Sequence, residues 1–119
     1  MRILKERARS DENSDVRQTA VQELARGWKD DPDTLRILKG HARSDENSDV
    51  RQTAVQKLAR GWKDDPETLR ILKERASSDE NWNVRWAAVR GVARGWNDDT
   101  GTLRWLKERE FSASVRDDR

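Results

Sequence analysis

Cysteine and tyrosine are absent from this chain of 119 residues, and only one residue is histidine, His41. The lack of cysteine excludes a disulfide framework, a thiolate metal site and a cysteine nucleophile. It also fits a reducing compartment, so a cytoplasmic location is expected. A lone histidine offers no pair for a metal or for an acid/base dyad. Long apolar runs are missing too, which leaves no segment for a transmembrane helix or a signal-peptide core. Nor does one charge dominate: 25 Lys and Arg face 23 Asp and Glu. That balance argues against bulk attraction to nucleic acid, although a sequence pI of 9.2 leaves room for local basic patches. Leu, Ile, Val and Phe together reach only about 18% of the residues, a level associated with disorder. Against disorder stand the near-cancelling charges and six tryptophans, far more aromatic surface than an unfolded polar chain carries.

What the chain does have is self-similarity. The segment Ile3 to Thr34 recurs at Ile37 to Thr68, differing only where Gly40, His41, Lys57 and Glu67 replace Glu6, Arg7, Glu23 and Asp33. A third copy from Ile71 keeps Ser78-Asp79-Glu80-Asn81, Val84-Arg85, Ala88-Val89 and Ala93-Arg94-Gly95-Trp96, and a fourth starts at Leu103 and breaks down after Arg109. Trp28, Trp62 and Trp96 set a period of 34 residues. The boundaries expected for a single domain over 1–119 are a first repeat at 1–30, a second at 31–64, a third at 65–98, and a partial fourth with a tail at 99–119. Near-identity of the first two copies fits recent duplication or deliberate engineering.

Each period reads as two helices. Asp31-Pro32 and Asp65-Pro66 supply an N-cap and a first-turn proline. Leu35, Leu38 and Ala42 then form a stripe with Ile37 at its flank, ending at the polar turn Ser44-Asp45-Glu46-Asn47. Asn47 caps the second helix, with Val50, Ala54, Val55, Leu58 and Ala59 facing inward. Gly61 is expected to end that helix in the left-handed conformation, with Trp62 folding back over the junction. Helices of about three turns are unstable alone, so the copies must stack. The sequence thus predicts an all-α solenoid of stacked antiparallel helix pairs, about three and a half repeats and seven helices.

The period matches the tetratricopeptide length, but that family's tryptophan and tyrosine pattern is missing. Through Asp45, Val50-Arg51, Ala54 and Leu58 and their counterparts in the other copies, the chain resembles the HEAT family, in particular short bacterial HEAT-like repeats of the phycobilisome-lyase type. The resemblance implies a right-handed solenoid whose second helices line the concave surface. It also implies a ladder in which Asp11, Asp45 and Asp79 join Arg17, Arg51 and Arg85 across adjacent repeats. The first helix lacks the internal proline that often kinks it in eukaryotic HEAT repeats.

Candidate chemistry is sparse. Asp11 to Asp15 resembles the opening of a calcium loop, but Val16 stands where glycine is needed and Gln22 where a bidentate glutamate is needed. Asp30-Asp31, Asp64-Asp65 and Asp98-Asp99 are paired carboxylates placed in solvated turns, where they cap helices rather than exchange protons. The informative departures lie in the third copy, where Trp82, Trp86 and Arg90 replace Ser48, Gln52 and Gln56, four residues apart on one face of the second helix. A concave groove lined by Gln18, Gln22, Gln52 and Gln56 would thereby gain an aromatic and cationic patch, of the residue types enriched in binding hot spots. The bland alternative packs Trp82 and Trp86 on Phe111 and Val115 as an end cap, with Trp105 in the position of Ile3, Ile37 and Ile71 supporting it. Arg2-Lys5-Arg9, Arg36-Lys39-Arg43, Arg70-Lys73 and Arg104-Lys107 form basic columns on the first helices that could meet nucleic acid or anionic lipid, but acidic turns flank each helix, and interspersed charge that keeps a solenoid soluble is the stronger account.

The expected function is non-catalytic: a scaffold binding a peptide or protein surface in the groove of the second helices, with no cofactor and no metal. The alternatives are an accessory subunit of a bilin lyase, which follows only from the resemblance, and anion binding by the first helices. Uncapped apolar stripes at the ends of the array favour self-association.

Overall fold

Short polar caps cut the chain into helices. In the computed structural model, which describes residues 2–97 and 99–117 and the side chains of 2–97 and 99–108, the order is α1 (Arg2–Ser10), α2 (Ser14–Gly27), α3 (Pro32–Ser44), α4 (Ser48–Gly61), α5 (Pro66–Ser78), α6 (Trp82–Gly95) and α7 (Thr100–Asp117). No strand occurs among the described residues. Asn47 Oδ1 accepts the Asp49 and Val50 N–H groups at 2.8 and 3.2 Å, and Asn13 and Asn81 do the same for α2 and α6. Asp31 and Asp65 accept the N–H two residues on, each followed by a proline at the helix start.

The second helices do not end on a left-handed glycine. No glycine among the described residues has positive φ. Gly61 is still helical, and the cap is Trp62 at φ −131°, ψ 38°, its N–H donating to the Leu58 carbonyl. A side chain at this position has room. A Cβ on Gly61 would lie 3.5 Å from Cε of Lys29, whose ammonium sits 5.9 Å from the centre of the Trp62 ring.

The first helices α1, α3 and α5 pack in one layer and the second helices α2, α4 and α6 in another, with extents of 46 × 31 × 16 Å. Between the layers runs one continuous core that includes Val21, Leu24, Leu38, Val55, Leu58, Ile71, Leu72, Val84 and Val92. Ile37, expected at the flank of the first-helix stripe, is buried in that core, whereas Leu35 is only half-buried. Thr34, Thr68 and Thr102 are also enclosed, and their hydroxyls have no hydrogen-bond partner. Position counts at the N-terminal layer: Ile3 is 70% and Val16 37% exposed, while Ile71, Val50 and Val84 are buried completely.

Two features set the third copy apart. A Cβ on Gly91 would lie 2.9 Å from Cβ of Ala59 and 3.0 Å from Cδ2 of Leu72, so glycine lets α6 approach α4 and α5 more closely than Glu23 or Lys57 would. The second feature is α7. Ala113 and Val115 stand where Asp45 and Asn47 close one helix and open the next, and without those caps the helix continues to Asp117, well past Arg109, where the fourth copy breaks down in sequence.

Candidate functional site

The polar interior is a ladder built from one arginine per second helix. Arg17 donates from Nε and Nη2 to the Asp45 carboxylate, both at 3.0 Å, while its Nη1 reaches the Asp11 carbonyl at 2.7 Å. Arg51 repeats this with Asp79 at 2.9 and 3.1 Å and the Asp45 carbonyl at 2.7 Å. Each aspartate also accepts the N–H two residues on, from Asn47 or Asn81, and a side chain from the preceding turn: His41 Nδ1 at 2.7 Å for Asp45, Arg75 at 3.3 Å for Asp79. Burial opposes ionisation of Asp45 and Asp79. The arginine and backbone hydrogen bonds outweigh it and hold both pKa values below the usual carboxylate range. The ladder is incomplete at both ends. Asp11 pairs with Arg7, four residues earlier, at 2.6 Å, and among the described residues Arg85 is left with its bond to the Asp79 carbonyl, at 2.6 Å.

A second ladder, which the sequence reading missed, absorbs the lysines of the first helices. Lys5 lies 3.0 Å from both Asp31 and Asp33 of the next copy, and Lys39 lies 3.1 Å from Asp65 and 2.8 Å from Glu67. Hydrogen bonds from Lys39 and Arg43 lower the Glu67 pKa to about 2. These contacts favour the interspersed-charge account of the basic columns: Lys5 and Lys39 neutralise acids of the neighbouring copy, and Arg36 and Arg43 pair with Asp33 and Glu67. At the third junction Gly101 replaces the second acid, and Lys73 lies over the Trp105 ring at 5.8 Å.

The groove residues separate into two rows. Gln18 donates to the Thr53 hydroxyl on α4 at 3.0 Å, so its position on a second helix points at the next second helix instead of into solvent. Trp86 holds the equivalent position, one period after Gln52, and therefore points away from α4 on the open side of α6. Trp82 and Trp86 stack there with ring centres 6.0 Å apart and planes within 9°, and they are 62% and 49% exposed. The Gln18 bond has no successor between Gln52 and the third copy, because Ala87 replaces Thr53. Gln22, Gln56 and Arg90 form the other row, exposed across all three second helices. Phe111 and Val115, invoked for an end cap, lie outside the residues whose side chains are described.

One open cleft of about 700 Å³ lies between the first two copies. Gly40 and His41 line it, where the third copy has Glu74 and Arg75. At the next junction Arg75 reaches across to the Arg43 carbonyl at 3.5 Å. Its buried charges, Arg17 and Asp45, are committed to each other.

A repeated Asp–Arg ladder between stacked helix pairs is the arrangement that the sequence resemblance implies, and the family model for HEAT repeats matches residues 1–93 and 41–109. The chain belongs to the HEAT-repeat family. HEAT repeats are generally non-catalytic and commonly serve as protein-interaction scaffolds. No curated protein and no solved structure matches the chain. In this HEAT array the ladder acids are spent on structure: Asp11, Asp45 and Asp79 close turns and, in the last two, neutralise a buried arginine. No helix among the described residues is long and apolar enough to cross a membrane.

Proposed function

We propose that this HEAT-repeat chain is a non-catalytic scaffold that holds a peptide or protein surface on its second helices. The partner lies along the exposed row Gln22, Gln56 and Arg90 and is anchored on Trp82 and Trp86. The stacked, exposed indole pair carries the reading. Two large aromatic rings are left in water on a helix that also carries exposed arginine, the residue types that dominate interface energetics. Their counterparts in the other copies are serine and glutamine, so stacking of the repeats does not require them.

The test separates binding from folding. Peptides selected from a random displayed library against the wild-type chain should bind a Trp82→Ser/Trp86→Gln variant at least about tenfold more weakly, with helicity and melting temperature retained. A variant that loses its cooperative melting transition would place the pair in the fold instead of at the surface.

A further inference from the structure

The ladder assigns a more specific partner chemistry to this surface. In the first two copies the arginine is held in one pose: Nη1 on the carbonyl of its own turn aspartate, Nε and Nη2 gripping the carboxylate of the next copy. Arg85 keeps the anchoring bond, at 2.6 Å to the Asp79 carbonyl. The position that would supply its carboxylate is Ala113, within α7, and Nε and Nη2 have no partner among the described residues. A guanidinium already oriented for two parallel hydrogen bonds loses little freedom on receiving a carboxylate.

Arg85 shares the open side of α6 with the two tryptophans. Arg51 and the glutamine at position 18 show which side of a second helix meets the following copy, since Arg51 reaches Asp79 and Gln18 reaches Thr53. Arg85 and Trp86 are the equivalents of those two positions on α6, with Trp82 one turn before. Arg90 and Arg94 are exposed elsewhere on the same helix and form no ion pair among the described residues, so α6 as a whole offers cationic groups beside the aromatic pair.

We propose that Arg85, Trp82 and Trp86 together receive a peptide segment bearing an aspartate or glutamate near an apolar side chain. The carboxylate completes the third rung on Arg85, and the apolar group covers the indole pair. This inference rests on the peptide-binding reading above and adds the acid to it. Carboxylate is favoured over phosphate because the same fork holds a carboxylate at both earlier rungs.

A random peptide library is selected against the full chain, and the best binder is synthesised with a fluorescent label. The enriched sequences are expected to share an acidic residue and an apolar one. Replacing that acid by its amide, or Arg85→Lys in the protein, should each weaken binding about tenfold, and the two together little more than either alone, because both remove one bidentate contact. Lysine retains the charge, and unchanged melting of the variant shows that the fold is intact. A peptide that depends on Trp86 yet ignores both the amide and Arg85→Lys overturns the Arg85 assignment and leaves the binding surface standing. Failure to enrich any peptide overturns the surface itself. A dT oligonucleotide that displaces the peptide and is lost in Arg85→Lys, or a dimer lost in that variant, would assign the rung to phosphate or to Asp11 of a second copy and refute the peptide.

Discussion

Replacing Asp79 with alanine tests the ladder where its burden is greatest. Asp79 is 3% exposed and Arg51 6%, and the carboxylate accepts two bonds from Arg51, one from Arg75 and one from the Asn81 N–H. Removing it strands a buried guanidinium, and breaking a buried pair by deleting one partner costs about 3–5 kcal/mol. For a chain of this length, total stability is about 6–18 kcal/mol, so the loss is a large share. It also falls on the junction between the second and third copies. In a stack that interacts only with neighbours, α6 and α7 should therefore open before the rest. Urea denaturation followed by circular dichroism gives the magnitude, and hydrogen exchange gives the location. Asp11→Ala is the internal control: the equivalent aspartate has no arginine from another copy, and its loss should be a minor fraction of the Asp79 effect. An Arg51→Met/Asp79→Leu double variant should recover most of the stability, since the buried guanidinium leaves together with its carboxylate, and Arg75, the remaining cation, is partly exposed to water. The reasoning is refuted if Asp79→Ala costs no more than Asp11→Ala, or if the double variant is no better than the single one.

Three further outcomes follow from other contacts. Thr34→Val exchanges an enclosed, unpartnered hydroxyl for a methyl group of similar shape and should raise stability by about 1 kcal/mol in urea titrations. Gly91→Ala should lower stability by about 1–3 kcal/mol because the new Cβ meets Ala59 and Leu72, whereas Gly40→Ala, with open space around it, should raise it by about 0.5–1 kcal/mol. Opposite signs in thermal melts decide that pair. Acid stability follows from Asp45, Asp79 and Glu67, whose folded pKa values are depressed: their contribution is complete above the unfolded carboxylate range and is lost as pH falls through the folded values, reaching about 2 for Glu67. Melting temperature should hold from neutral pH to about 5 and drop steeply below 4; a flat profile to pH 2 would contradict it.

The helices were legible because their caps are written locally. Asp31-Pro32 and Asn47 are short-range signals, and the 34-residue period repeats them in register. The aspartate–arginine spacing was legible through the family resemblance, and the structure shows which atoms meet. Packing direction was not legible. Periodicity puts Trp82, Trp86 and Arg90 on one helical face, yet a turn of four residues drifts around the axis. The Gln18–Thr53 bond is what shows that this row divides, the tryptophans toward the open side of α6 and Arg90 toward the exposed row of Gln22 and Gln56. The lysine ladder escaped notice because its partners, Asp31 with Asp33 and Asp65 with Glu67, lie 26 to 28 residues away and look like solvated caps. Gly91 reads in sequence as a weak point in a helix, and only the proximity of Ala59 and Leu72 reveals its purpose. The extension of α7 is marked in the sequence by the loss of Asp and Asn at positions 113 and 115, the residues that end one helix and cap the next in the earlier copies.

The most direct test of the binding surface is the set of six indole N–H signals in a two-dimensional NMR spectrum, assigned by replacing the tryptophans singly and followed while a library-selected peptide is added. The account predicts that the Trp82 and Trp86 signals move together and saturate with the peptide, while those of Trp28, Trp62 and Trp96, at the caps of the second helices, stay in place. Saturating shifts at the cap tryptophans with Trp82 and Trp86 unmoved would contradict it.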